Sequence, residues 1–113
     1  MDSHKKDLIK AYKSRPLSGG VTLLRDSVNG RYLLETQTNV QGSRSRFEFM
    51  RATNCPPSMK VQRDWKAHGA GAFTFEILEE LTQREDQTEE EFREELKVLG
   101  EVWAEKFDPA LSY

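Results

Sequence analysis

The chain has 113 residues, about the size of one domain, so we expect one domain and not a multidomain arrangement. With 36% hydrophobic and 32% charged residues, the composition predicts a compact soluble domain with one modest core. The formal net charge of −2 excludes neither a basic nor an acidic partner, because it is a cancellation: residues 1–72 carry a net charge of +7 and residues 73–113 one of −9.

The cellular compartment is predicted from the absence of disulfide pairs, membrane spans and a signal peptide in the sequence. A single cysteine, Cys55, cannot form an internal disulfide, which fits a reducing environment. No apolar run approaches the length of a membrane span, and the first residues lack the apolar core of a signal peptide. We therefore expect a cytoplasmic protein without a membrane partner.

The first half of the chain predicts a helix followed by a β-hairpin. Asp7 to Lys13 carries a short apolar stripe of helical spacing, which ends before a proline and a pair of glycines. Two β-prone runs follow, Val21 to Leu24 and Tyr32 to Leu34. The Asn29-Gly30 pair between them is a strong signal for a hairpin turn.

Two helices and a third strand are predicted next. Residues 39–53 have helical apolar spacing with arginines on other faces, which predicts a basic amphipathic helix. Ser58 can cap another helix that runs to about His68, with three expected core contacts: Met59, Val61 and Trp65. Alternating large apolar residues from Phe73 to Leu78 then predict a half-buried strand that joins the hairpin.

The last predicted element is a helix with a defined start. Thr88 and Glu91 match a capping box, apolar residues then recur at a spacing of three to four, and Asp108-Pro109 should end the helix. The expected fold is α+β, a small three-stranded antiparallel sheet flanked by helices in the order α-β-β-α-α-β-α. We expect residues 1–113 to form one domain, with a leading helix and linker at 1–18 and a core at 19–109.

Several motifs in this order resemble the GIY-YIG nucleases. Gly20 opens the first strand, an Asn-Gly turn follows nine residues later, and Asn39-Val40 leads into the basic helix. The passage from Gln62 to Glu79, a helix followed by a glycine and a Phe-x-Phe strand, is similar to the corresponding part of that family. The resemblance extends from about Gly20 to Pro109 and implies a GIY-YIG-like fold.

The resemblance also implies positions for a nuclease site. The family uses a tyrosine in each of the first two strands, an arginine on the following helix and a metal-binding glutamate on a later helix. Here Gly20-Val21-Thr22 and Leu33-Leu34-Glu35 stand at the two name-giving triplets. The four family positions are therefore occupied by Thr22, Leu33, Ser43 and Gly100. Arg44 or Arg46 could supply the arginine if the helix is offset.

These substitutions remove most of the chemistry that the family requires. A threonine hydroxyl lacks the acidity of a phenol, and leucine and glycine side chains offer neither a proton nor a metal ligand. We therefore expect a GIY-YIG-like domain that has lost nuclease activity, with no catalytic residue assigned and no cofactor. A divalent metal is expected only if the chain is an active nuclease after all.

Two other functions are compatible with the residues. Six basic side chains could bind the phosphate backbone of a nucleic acid: Arg44, Arg46, Arg51, Lys60, Arg63 and Lys66. Trp65 or Phe49 could then stack on a base. The alternative is a protein-interaction or structural domain that uses the acidic C-terminal helix, and an active metal-dependent endonuclease is a distant third.

Overall fold

A computed structural model describes residues 16–113, so the helix predicted at 7–13 lies outside the described residues. The regular elements are β1 (Ser18–Asp26), β2 (Tyr32–Gln37), α1 (Val40–Ala52), α2 (Gln62–His68), β3 (Phe73–Thr82) and α3 (Glu89–Ala104). Short 3-10 turns cover Met59–Val61, Ala70–Ala72 and Pro109–Leu111. None of the helices within residues 16–113 combines the length and the apolar character needed to cross a membrane.

The three strands form one antiparallel sheet in the order β2-β1-β3. Leu24 of the central strand β1 lies opposite Leu33 on one side and Phe75 on the other. Side chains alternate between the two faces of a sheet, so these three residues share one face. The predicted α+β class and three-stranded antiparallel sheet are confirmed.

The hairpin between β1 and β2 has a five-residue loop, residues 27–31. Gly30 adopts a φ of +75°, which a residue with a Cβ rarely adopts. The Asp26 carboxylate accepts the backbone N–H of Val28 at 2.9 Å, and the Asp26 carbonyl accepts that of Gly30 at 2.8 Å. The Asn-Gly signal thus marks the hairpin, while Asp26 fixes the shape of the loop.

The core lies mainly between the sheet and α1 and α2. Phe47 of α1 stacks on Phe75 with ring centroids 5.5 Å apart, and Trp65 of α2 packs on Phe73 at 5.0 Å. Trp65 is 2% exposed and its indole N–H donates to the Asn54 side chain at 3.2 Å. This packing fixes α1 and α2 on the face of the sheet that carries Leu24 and Leu33.

The other face of the sheet is covered by α3. Phe92 and Leu96 of α3 are buried, as are Val21 and Leu23 of β1, and α3 contacts β1. The predicted capping box is present, with Thr88 and Glu91 bonded to each other's backbone N–H. The predicted end at Asp108-Pro109 is too late, because α3 ends at Ala104. The chain then turns so that the Phe107 ring packs on Tyr32 at 5.1 Å.

Two further predictions about the elements need correction. Met59 is 89% exposed rather than in the core, because Ser58 caps a 3-10 turn there. A 3-10 turn has three residues per turn, which alters the angular spacing, and Val61 and Trp65 alone face the core. Strand β3 continues to Thr82 instead of ending near Leu78, since its backbone stays paired with β1.

The start of β1 is closely packed by its neighbours. The pairing of β1 with β3 shifts register between Val21 and Thr22, as at a β-bulge. A Cβ on Gly20 would lie 2.5 Å from the Glu79 carbonyl oxygen and 2.9 Å from a Val40 methyl group. Only glycine leaves room for α1 and β3 to approach β1 this closely.

Candidate nucleic-acid interface

A recess of about 30 Å³ lies between α1 and the sheet face that carries Leu24 and Leu33. Strands β1, β2 and β3, helix α1 and the segment before α2 contribute its walls: Thr22, Leu24, Leu33, Glu35, Gln37, Ser43, Arg46, Phe47, Pro57, Ser58 and Phe75. Since one water needs about 10–15 Å³ of such space, the recess holds about two waters. It is a contact point on a surface and too small to enclose a nucleotide.

Three of the four family positions meet at this recess. Thr22 of β1 is 2% exposed and Leu33 of β2 is 6% exposed, while Ser43 of α1 is half-buried. Arg46, one of the two arginines expected to replace the family's own, is exposed and also lines the recess. Arg44, the other, lies elsewhere on α1.

The groups at the recess are hydrogen-bonding and aliphatic. The Thr22 hydroxyl donates to the Glu35 carbonyl and accepts from the Gln37 amide, each at 3.5 Å, so its partners lie on the neighbouring strand. Leu33 contributes only hydrocarbon. Glu35 is the one carboxylate in the lining and Arg46 the one cation. Within residues 16–113 neither forms an ion pair.

Gly100, the fourth family position, lies against the other face of β2. A Cβ there would come within 2.7 Å of the Thr36 methyl group. Gly100 lines a separate hollow of about 430 Å³ between α3 and the edge strand β2, together with Lys97 and Glu101. Glu35 lines both hollows, since it lies on the edge strand between them.

Tyr32 does not replace the missing tyrosine at Leu33. It is buried on the α3 side of the sheet and packs on Phe107. A side chain one residue along a strand points to the opposite face. Among residues 16–113, no tyrosine therefore lines the recess on the α1 side.

The basic residues of α1 divide into two groups. Arg44 and Arg51 line one hollow together with Glu48, and the Arg51 guanidinium lies 5.4 Å from the centre of the Phe47 ring. Arg46 is two residues from Arg44, about 200° around the helix, and lies at the recess instead. The first group shares its hollow with the carboxylate of Glu48, and Arg46 shares the recess with that of Glu35.

The other basic residues expected to bind nucleic acid, Lys60, Arg63 and Lys66, lie on the 3-10 turn and α2. All three are exposed, opposite the buried Val61 and Trp65. Within residues 16–113 none of the six predicted basic residues forms an ion pair. Their charges are therefore available to an anionic partner, although they are spread over several faces.

One polar cluster was missed by the sequence analysis. Asp26 is fully buried at the end of β1, and Nδ1 of His68 lies 2.5 Å from its Oδ2 atom. The Tyr113 hydroxyl lies 3.2 Å from the same Asp26 oxygen and donates to Asp64 at 2.7 Å. Nothing in the local spacing links these residues, which are up to 87 positions apart.

The cluster is satisfied by its own hydrogen bonds. The hydrogen bond from Tyr113, followed by one from Asn29, lowers the pKa of Asp64. Burial and the adjoining carboxylates raise the pKa of Tyr113 above the usual value for a phenol. Asp26, Asp64 and His68 are the one group of three potential metal ligands among residues 16–113. Their ligand atoms already contact each other or Tyr113, so the cluster holds the hairpin, α2 and the C-terminal residue together.

The fold resembles that of the GIY-YIG nuclease domains, as the resemblance predicted. It is similar to the structure of the catalytic domain of homing endonuclease I-TevI with a TM-score of 0.56, over 84% of this chain and 95% of that domain. The sequence identity is 19%, so the likeness establishes the fold. No family model and no curated protein matches the sequence.

Proposed function

We propose that this GIY-YIG-like domain binds nucleic acid through the surface around Arg46 and does not cleave it. The composition of the recess carries this proposal. Arg46, which forms no ion pair within residues 16–113, lies beside it, whereas threonine and leucine stand at the two positions where the resemblance requires tyrosines. An arginine side chain can bind a phosphate without any further catalytic group. Hydrolysis needs a group that activates water and a group that stabilises the leaving oxygen as well.

Binding is tested by fluorescence anisotropy with labelled DNA at several salt concentrations. We expect Arg46→Ala to weaken binding to all sequences alike and to reduce the slope of log K against log salt by about 0.7 to about 0.9, the value of one phosphate contact. Lys97→Ala, which removes one exposed charge on the other side of the sheet, is the control and should leave the slope unchanged. Absence of binding at low salt would refute the proposed function.

The absence of cleavage is tested separately by plasmid nicking with magnesium or manganese. We expect the wild-type protein and the Glu35→Gln variant to leave the plasmid intact at equal protein concentrations. Nicking by the wild-type protein that disappears in both Glu35→Gln and Arg46→Ala would show that the recess is an active site. The domain would then be a metal-dependent endonuclease that uses Glu35.

A second candidate function rests on the outer face of α3. Val98 and Val102, one turn apart, are 47% and 46% exposed. They are surrounded on the helix surface by acidic residues without ion pairs within residues 16–113: Glu94, Glu101 and Glu105. An apolar pair with an acidic border suits a protein partner that has a basic surface.

The double variant Val98→Ser and Val102→Ser tests this second function. If α3 is an interface, the variant should lose a protein that the wild-type domain retains in a pull-down, or should lower a mass that light scattering finds above that of a monomer. DNA binding by the double variant should match that of the wild type. Equal masses and equal retained proteins would remove the second candidate.

A further inference from the structure

Phe49 is an aromatic side chain that lies outside the hydrophobic core. It lies on α1 and is 67% exposed. Among the aromatic side chains of residues 16–113 it is the one that is largely exposed, and Trp65, the other residue expected to stack on a base, is 2% exposed in the core. The structure therefore decides between the two stacking residues that the sequence suggested, in favour of Phe49.

The helix surface around Phe49 leaves the ring accessible. Its neighbours at i−4, i−3, i+3 and i+4 are Ser45, Arg46, Ala52 and Thr53. Three of these side chains are too short to lie across a phenyl ring. The fourth, Arg46, is long and cationic, and all four are exposed.

Arg46, a cation, is the one charged side chain among the i±3 and i±4 neighbours of Phe49. Glu48 is the one acidic residue of α1, and it lies in the hollow of Arg44 and Arg51, about 100° around the helix from Phe49. Arg46 lies about 60° from Phe49 in the other direction and continues to the recess. An exposed ring and a guanidinium without an ion pair among residues 16–113 thus adjoin on one strip of α1.

We propose that the nucleic acid bound by this domain is single-stranded, with one unpaired base stacked on Phe49 and the adjoining phosphate held by Arg46. This inference rests on the proposed function and adds the class of nucleic acid. A base inside a duplex has both faces covered by its neighbours and must be unstacked before a ring can pack on it, whereas an unpaired base offers a free face. A phosphate next to that base then lies within reach of a cation one helical turn away.

The test compares binding of a labelled oligothymidine and of a duplex of the same length by fluorescence anisotropy. We expect tighter binding of the single strand, and we expect Phe49→Ala to weaken it by about 5-fold to about 150-fold, the range for one stacked base. The salt slope should stay at the wild-type value in Phe49→Ala and should fall in Arg46→Ala. Met59→Ala, which removes another exposed apolar side chain, is the control.

A tryptophan at the same position keeps the stacking surface and reports on it. Phe49→Trp should bind the single strand at least as tightly as the wild type, and its fluorescence should be quenched on binding. Because Phe49 is exposed, circular dichroism should show both variants to be folded.

The possible failures separate the two proposals. Equal affinity for single strand and duplex, with Phe49→Ala unchanged, would overturn the inference and leave the proposed function standing. No binding of either DNA by the wild-type protein would overturn both. A lower solution mass for Phe49→Ala than for the wild type would show that Phe49 is a contact between protein chains and would overturn the inference.

Discussion

Tyr113 shows how one side chain ties distant parts of this chain together. Its hydroxyl contacts carboxylates from β1 and α2, and its backbone N–H donates to the Tyr32 carbonyl at 2.8 Å. The described packing therefore includes Tyr113. Removal of this hydroxyl takes away the one proton that it donates to this pair of carboxylates.

Tyr113→Phe is therefore expected to destabilise the domain by about 1.5–3 kcal/mol, the usual range for hydrogen bonds to charged groups. The free energy of unfolding from urea titration at pH 7 measures this effect. Ser112→Ala is the control, since the Ser112 hydroxyl contacts only the Tyr113 carbonyl, at 3.4 Å. A loss no larger than in the control would contradict the assigned role.

Tyr113 should also make the unfolding free energy of the domain depend on pH in the alkaline range. Burial first, and then the carboxylates, raise the pKa of Tyr113 in the folded state. The protonated phenol therefore stabilises the fold fully below the unfolded pKa of about 10, and this contribution is lost as the pH rises through the folded pKa. The difference in unfolding free energy between the wild type and Tyr113→Phe should shrink above about pH 10. A constant difference would argue against a protonated Tyr113 in the cluster.

Asp64 should give stability the opposite dependence on pH in the acidic range. The hydrogen bond from Tyr113, and then that from Asn29, lower the pKa of the Asp64 carboxyl in the folded state. Its ionised form therefore stabilises the fold above the unfolded value of about 4, and the contribution is lost as the pH falls through the folded pKa. Thermal unfolding of Asp64→Asn between pH 3 and pH 6 should show a weaker pH dependence than that of the wild type. Equal pH dependences would refute this assignment.

Among the elements, α3 depends on its first turn. Thr88 accepts the Glu91 backbone N–H at 3.1 Å, and Glu91 accepts that of Thr88 at 3.1 Å. These bonds lower the pKa of the Glu91 carboxyl in the folded state. The capping box is therefore intact at a pH above the pKa that Glu91 has in the unfolded chain, and it weakens as the pH falls through the pKa of Glu91 in the folded state.

Thr88→Ala should destabilise the domain by about 0.5–2 kcal/mol because it removes the N-cap acceptor of α3. Urea unfolding at pH 7 measures the change. Thr38→Ala is the control, because it makes the same substitution at an exposed threonine that caps no helix. If both variants lose the same stability, the cap makes no particular contribution.

The start of β1 depends on the absence of a side chain. A methyl group added at Gly20 would lie 2.5 Å from the Glu79 carbonyl oxygen. Because that oxygen belongs to the backbone, moving it costs more energy than moving the end of a flexible side chain. Gly20→Ala should therefore cost about 1–3 kcal/mol, as overpacking of a core does. Gly71→Ala is the control because a Cβ there meets nothing within 4 Å. Equal melting temperatures for the two variants would contradict this close packing.

For the whole molecule, the position of a charge should matter more than the total charge. Arg46→Glu and Lys97→Glu change the net charge by the same amount, from −2 to −4. They lie at hollows on opposite sides of the sheet, and charges farther apart than about 8 Å are largely screened at physiological salt. We expect Arg46→Glu to abolish measurable DNA binding and Lys97→Glu to weaken it less than about threefold. Equal losses in anisotropy titrations would indicate that only net charge matters.

Much of the fold was predictable because its signals are local. The Asn29-Gly30 pair marks the hairpin, the alternation that begins at Phe73 marks β3, and Thr88 with Glu91 marks the start of α3. Each depends on residues a few positions apart, whose preferences act before any tertiary contact forms. Where the local geometry was not the assumed one, as at Met59 in a 3-10 turn, the prediction was wrong.

The sequence by itself determined the order of the described strands and helices and the residue types at the family positions. The tertiary structure decided which of these residues meet. It brings Thr22, Leu33 and Arg46 to one recess, leaves Gly100 in another hollow and buries Trp65 while it exposes Phe49. It also unites Asp26, His68 and Tyr113. Strand register and helix packing set these proximities, and they depend on contacts between residues far apart in the chain, which local spacing does not encode.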